Sequence, residues 1–301
     1  MGFARIIGSL ALAMTVFRSP ALSLLGRYAF GTLPQAATIL TLVGGLAGAM
    51  GPFANQFILS LGPIVTFSIG SFTMLAAAAA LRLVNPQGSE AADNTQAASS
   101  WRQLSLAKLG LVFGAGVGVA LGFRLMMQIF PQILDTQVPG ANKGLILGGI
   151  FIVLALTALP AGKLATRLGN RQAMSYGLVV MAVFMALMVL THSGMMASVV
   201  AIAKRCCEAQ IALGATFSLV SNGIIPFALS MMPQDKAGLG TGIYFSGGAV
   251  ASSLFGTVFS QPGSVTPIVG ALAGAAAFLA AGVFVATSGK LGRGEFLIPD
   301  D

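Results

Sequence analysis

Charged side chains inside long apolar stretches are the residues of this sequence with the clearest chemical potential. Lys204, Arg205 and Glu208 stand together in A-I-A-K-R-C-C-E-A-Q, and on a helix the Glu208 carboxylate can pair with either cation. An ionisable group near the centre of a bilayer costs at least about 2.5–3.5 kcal/mol, so such residues mark substrate or ion pathways. A carboxylate beside cations in an apolar site can alternate between an ion pair and a protonated form. Glu208 is therefore the leading candidate for proton coupling; a static salt bridge, or a segment that bends out of the membrane, explains the same charges.

Two further arginines interrupt apolar stretches and suit the binding of a polar solute. Arg18 precedes Pro20, which removes a backbone donor and frees carbonyl groups, although a kink satisfied by neighbouring groups is the alternative. Arg124 lies one helical turn before Gln128, and their guanidinium and amide groups together suit hydroxyls, carboxylates or phosphates. Arg124 could instead extend to the outer membrane interface. Asn222 is a weaker binding candidate, with a hydrogen bond at a helix end as its other interpretation.

Composition identifies the setting of these residues as a lipid bilayer. Hydrophobic residues make up 56% of the 301 residues and charged residues only 8%, whereas a soluble domain carries about 25% charge. The net charge of +8 is spread over short loops, which fits the positive-inside rule and predicts no nucleic-acid partner.

The sequence predicts neither an enzyme nor a metal protein. Cys206 and Cys207 are adjacent and His192 is the only histidine, so no metal site or cofactor follows from them. The patterns G-x-x-x-x-G-K-[ST], H-E-x-x-H and G-x-S-x-G do not occur in the sequence.

The elements that must position the charged residues are membrane-spanning helices. A span needs roughly 17–25 apolar residues, and nine stretches qualify: 6–26, 34–58, 61–82, 105–131, 143–161, 173–191, 196–223, 237–260 and 266–288. The predicted fold class is therefore all-α, a polytopic membrane protein. The polar segment 85–104 predicts a flexible linker. It divides the chain into a three-helix part (1–84) and a six-helix bundle (105–290), followed by a tail (291–301).

The distribution of cations fixes the predicted orientation. With the linker in the cytoplasm and the helices alternating, one side of the membrane gathers most basic residues and the other holds Lys143 and Arg5. The cytoplasmic set is Arg27, Arg82, Arg102, Lys108, Lys163, Arg167, Arg171, Lys236, Lys290 and Arg293.

A basic segment between the fifth and sixth spans carries a recognisable pattern. Residues 162–171 read G-K-L-A-T-R-L-G-N-R. Gly162 and Gly169 predict a tight turn, and Arg167 and Arg171 predict that this turn is cytoplasmic. The segment resembles the G-x-x-x-D-R-x-G-R-R loop of the major facilitator superfamily, with Thr166 at the position of the aspartate and Asn170 at that of the second-last basic residue.

The resemblance extends to the helix count and the linker, and it implies an architecture of two helical bundles. Within the twelve-helix frame of that family, the nine spans correspond to helices four to twelve, with the first three missing. The resemblance places Arg18 on helix four, Arg124 on helix seven and Glu208 on helix ten, all helices that line the family's central cavity. It implies that the basic segment acts as a cytoplasmic latch.

The function implied by the resemblance is secondary active transport of a small polar solute by alternating access. The solute would be anionic, sugar-like or a drug-like efflux substrate, and a proton or sodium ion would drive the transport. The lack of targeting signals favours a bacterial plasma (inner) membrane, and the sequence specifies no oligomeric state. A non-transporting membrane scaffold or assembly factor, or an inactive truncated transporter, is the alternative.

A run of small residues in the second span is open to two interpretations. Gly44, Gly45, Gly48 and Gly51 precede Pro52, and the Gly-Pro ending resembles the fifth helix of antiporters in the family. Close packing of helices at small residues explains the same run without antiport.

Overall fold

The computed structural model describes residues 33–84, 105–137, 143–192, 206–232, 237–258 and 266–292. These residues form eight α-helices and no strand, which confirms the predicted all-α class. The helices are α1 (Leu33–Ser60), α2 (Gly62–Val84), α3 (Leu106–Gln137), α4 (Lys143–Leu168), α5 (Asn170–His192), α6 (Cys206–Ser230), α7 (Ala237–Val258) and α8 (Pro267–Gly292). The predicted span 6–26, the linker 85–104 and residues 293–301 lie outside the described residues.

Six of these helices, α1, α3, α4, α5, α6 and α8, are long and apolar enough to cross a membrane by length and composition. The apolar stretch of α2, Ile64–Ala80, is shorter. Large apolar side chains face outward, including Leu156 at 70% exposure and Phe72 at 74%. This outer surface is what a bilayer requires, because lipid rather than water must cover it.

Two predicted boundaries are wrong in an informative way. The predicted basic turn over residues 162–171 is mostly helix, because α4 continues to Leu168 and α5 begins at Asn170. The turn is the single residue Gly169, whose φ of 88° is the left-handed conformation that glycine tolerates. Gly162 lies inside α4 and has no part in the turn. The predicted end of the span 196–223 is also wrong, since α6 continues to Ser230; residues 193–205 lie outside the described residues.

Helices α3 to α8 pack around a shared core. The most extensive contacts join α3 to α7 and α8, α8 to α5, and α6 to α4 and α5. Fully buried side chains at these contacts include Leu125, Met174, Met185, Phe227 and Phe278.

Small residues allow α3 and α7 to approach backbone to backbone. An added Cβ at Gly116 of α3 would overlap the backbone carbonyl of Tyr244 in α7, and Gly247 of α7 faces the backbone of Phe113 in the same way. Neither position can carry a side chain without separating the helices, as is usual for helix pairs packed in lipid.

Helix α1 joins this group by packing on α4 and α6. It runs antiparallel to α4, with Thr38 facing Gly162, Gly45 facing Ala155 and Gly48 facing Phe151. These contacts confirm close packing at Gly45 and Gly48. Near its first turn, Leu33 packs with Ile225 and Leu229 of α6.

Candidate functional site

A cavity of about 210 Å³ lies where α1 meets α4, α6 and α7. Its lining residues are Leu40, Thr41, Gly44 and Gly45 of α1, Phe151 and Leu154 of α4, Phe217, Ser221, Ile224 and Ile225 of α6, and Phe245 of α7. Most of this surface is aromatic or aliphatic. The side-chain hydroxyls of Thr41 and Ser221 are its polar groups. Ligand sites typically combine such apolar walls with a few polar groups that orient the ligand.

The aromatic wall of the cavity is held by a chain of ring contacts that reaches α3. Phe217 stacks on Phe123 of α3, with ring centroids 4.5 Å apart and planes 10° apart. Phe123 in turn meets Phe151 edge-on at 6.5 Å. Aromatic pairs in these arrangements contribute about 0.5–1.5 kcal/mol beyond burial of their area. The positions of Phe151 and Phe217 are therefore coupled through a third helix.

Asn222 does not line the cavity, but it joins two helices that do, α6 and α4. It follows the lining residue Ser221, it is 2% exposed, and its Nδ2 donates to the Ala158 carbonyl of α4 at 2.9 Å. Pro226 removes the donor that would close a helical hydrogen bond to the Asn222 carbonyl. No donor among the described residues reaches the buried Oδ1 of Asn222. The helix-end interpretation of this residue is wrong, because Asn222 lies inside α6 and ties it to α4.

Arg124 and Gln128, two of the predicted binding residues, do not line this cavity. Arg124 is exposed on α3 and Gln128 is half-buried one turn further along. Glu208 falls in the first turn of α6, before the apolar stretch Ile211–Ser230, and its side chain lies outside the described residues. Arg18, Lys204 and Arg205 also lie outside them. Their predicted roles stay predictions.

The phenylalanines of the cavity were missed by sequence reasoning. The chain has 20 phenylalanines. The sequence around a phenylalanine does not show whether its ring faces a ligand or faces lipid. The neighbouring hydroxyl and amide at Ser221 and Asn222 were the only local signal, and only Asn222 was predicted as a candidate.

The basic segment is built from the last two turns of α4 and the first turn of α5. Lys163, Thr166 and Arg167 are exposed, and the Thr166 hydroxyl donates to the Lys163 carbonyl at 2.7 Å within its own helix. Arg171 turns inward and donates to the Ser288 carbonyl of α8 at 3.4 Å. The segment therefore connects the α4–α5 turn to the end of α8.

The family model described as Major Facilitator Superfamily matches residues 3–256, which includes α1 to α6 and most of α7. Neither a curated protein nor a solved structure matches the chain.

Proposed function

Because the chain belongs to the major facilitator superfamily, we propose that it moves a small solute across a membrane by alternating access at the cavity between α1, α4, α6 and α7. Members of this family are transporters rather than enzymes, and the chain is an integral, multi-pass membrane protein. The position of the cavity carries the proposal. Helix α1 belongs to the part of the chain before the predicted linker, and the other three walls belong to the part after it. A site at the contact of two bundles can open to either side when the bundles rock.

The α1–α4 contact supplies the moving surface in this mechanism. Glycines at Gly45 and Gly48 leave room on α1 for the Leu154 and Phe151 side chains of α4, so the two helices approach closely. Separation of α1 from α4 would open the cavity between them, and closure would rebuild the same contact. Asn222 holds α6 to α4, so these two helices would move as one wall.

The lining favours the drug-like class among the expected solutes. Phe151, Phe217 and Phe245 present apolar ring surface, while Thr41 and Ser221 offer one or two hydrogen bonds. An anionic group placed against these rings without a hydrogen-bond donor or a cation beside it would have a large desolvation cost. A small aromatic or otherwise amphipathic solute fits the lining better than a sugar or an inorganic anion.

The proposal also includes coupling of transport to a proton and roles for the charged residues that the sequence predicts. Glu208, which follows Lys204 and Arg205 in the sequence, would carry the coupling proton. Arg18, Arg124 and Gln128 would line the path to the cavity. The excess of basic residues on one side supports placing that side of the protein in the cytoplasm, and the membrane would be a bacterial-type plasma membrane.

Flux in vesicles tests the function and the class of solute together. The full chain is reconstituted in proteoliposomes with an imposed pH gradient, and uptake of radiolabelled benzyl alcohol derivatives and aromatic amines is compared with uptake of glucose and phosphate. Ser221→Trp should abolish flux of the aromatic solutes because the indole fills the cavity, whereas Ser253→Trp on the exposed face of α7 should leave it unchanged. Flux of phosphate or glucose alone would reject the proposed solute class, and no flux of any solute would favour a non-transporting scaffold.

A further inference from the structure

A second and larger cavity, of about 820 Å³, lies between the start of α5 and the ends of α6 and α8. It lies at the end of the protein that the positive-inside pattern assigns to the cytoplasm, and it is separate from the cavity proposed for transport. Its wall combines Arg171 and Asn170 with Tyr176, Phe227 and Val285. A positively charged group and an apolar wall therefore share one opening.

The Arg171 guanidinium enters this cavity without neutralisation by its protein contacts. Its two hydrogen-bond acceptors are the Ser288 carbonyl at 3.4 Å and the Met231 sulfur at 3.5 Å. The bond to the carbonyl is long, both acceptors are uncharged, and sulfur is a weak acceptor. Among the described residues, no acidic side chain lines the cavity. A half-buried guanidinium in this setting favours an anionic oxygen ligand, above all a phosphate, which its planar fork of donors matches.

The remaining polar atoms extend the site beyond a single anion. The Asn170 side-chain oxygen is buried and accepts no hydrogen bond from the described residues. Asn170 itself is half-buried and lines the cavity, so rotation of its side chain toward the cavity would let this oxygen accept a hydrogen bond from a ligand that also carries a hydroxyl or ammonium group. Ser175 is half-buried at the same wall.

The apolar side of the cavity distinguishes a lipid from a soluble anion. Tyr176 is 57% exposed, and tyrosines with an apolar ring and a polar tip are enriched at membrane interfaces. Leu168 and Ala286 are exposed at the same cavity and add apolar surface along which acyl chains can lie. Phe227 and Val285 are buried beneath this surface. Basic pockets between membrane helices on the cytoplasmic side bind the head groups of anionic lipids.

We propose that this cavity binds an anionic phospholipid of the cytoplasmic leaflet. Its phosphodiester accepts hydrogen bonds from Arg171, and a hydroxyl of its head group donates to the Asn170 side-chain oxygen. The acyl chains leave the site past the exposed Tyr176 and Leu168. Phosphatidylglycerol carries both the phosphodiester and the hydroxyls that this arrangement uses.

Native mass spectrometry of the full chain in detergent tests the site without any transport assay. Purified protein is titrated with phosphatidylglycerol, phosphatidic acid or phosphatidylcholine, and the bound lipid is counted on the intact protein. Phosphatidylglycerol should bind most tightly, and Arg171→Gln should weaken it about tenfold, the loss expected for a charge-assisted hydrogen bond. Arg167→Gln is the matched control, since it removes a neighbouring but exposed arginine and should leave the affinity unchanged.

A second variant covers the case in which Arg171→Gln fails to fold. Asn170→Ala should weaken phosphatidylglycerol severalfold and leave phosphatidic acid unchanged, because phosphatidic acid has no head-group hydroxyl. Equal loss in the Arg167 and Arg171 variants would overturn the site, as would an Asn170→Ala variant that does not discriminate between the two lipids. Millimolar inorganic phosphate should not displace the bound lipid; displacement would reassign the cavity to a soluble anion and reject the proposal.

Discussion

Replacement of Gly45 by alanine perturbs the α1–α4 contact with a single methyl group. The new Cβ would lie 2.7 Å from the Leu154 Cδ2 and 2.9 Å from the backbone nitrogen of Ala155. The leucine side chain can rotate away. The nitrogen belongs to the backbone of α4 and cannot, so the two helices must part by a few tenths of an ångström or more.

Two opposed effects set the size of the change in stability. Alanine favours a helix over glycine by about 0.5–1 kcal/mol, whereas inserting a methyl group into a packed contact costs about 1–3 kcal/mol. The packing term wins because the obstructing atom is backbone, and we expect a net destabilisation of about 1 kcal/mol. In a domain of 150–250 residues this lowers Tm by about 2–4 °C.

The assay is thermal stability of the detergent-solubilised protein, measured by size-exclusion chromatography after heating. Gly51→Ala is the matched control, because it lies on the same helix and nothing stands within 4 Å of its added Cβ. The control should match or slightly exceed the Tm of the unsubstituted protein. A Gly45→Ala protein as stable as the Gly51→Ala protein would refute the close contact between α1 and α4.

Three further substitutions test other contacts and the transport path. Asn222→Ala removes the hydrogen bond to α4 and should destabilise the protein by about 0.5–2 kcal/mol, whereas Thr257→Ala, which removes a local bond on an exposed face, should change Tm little in the same assay. Gly116→Ala should lower Tm more than Gly45→Ala does, because its added Cβ would overlap the Tyr244 carbonyl of α7 rather than approach a backbone nitrogen, and Gly110→Ala with open space around it should not lower it. Arg124→Ala should reduce solute flux in vesicles without lowering Tm, since Arg124 is exposed; unchanged flux would remove it from the transport path.

The apolar runs of the sequence were sufficient to predict the helices. A span in lipid needs continuous apolar length, so the predicted stretches 34–58, 61–82 and 266–288 closely match α1, α2 and α8. The end of α4 was harder to place, because charged residues were interpreted as the start of a turn. Lys163 and Arg167 instead extend from helical backbone into solvent, and only the positive φ of Gly169 breaks the helix.

The cavity could not be predicted, because its chemistry arises from packing. Phe151, Phe217 and Phe245 belong to three helices that are distant in sequence, and only their tertiary arrangement brings them to one wall. The cost of burying charge pointed to Arg124, which the structure places on an exposed face. Conversely, Arg171 was assigned to a loop, although its helix carries it into a cavity.

Two-sided access to Ser221 tests the central claim most directly. Ser221→Cys is introduced with Cys206→Ser and Cys207→Ser, and vesicles of known orientation are treated with a membrane-impermeant maleimide from the outside or from the inside. Alternating access at this cavity predicts labelling from both sides, slowed from both by a transported aromatic solute. Labelling from one side only, or labelling that such a solute does not slow, would contradict transport through the cavity between α1, α4, α6 and α7.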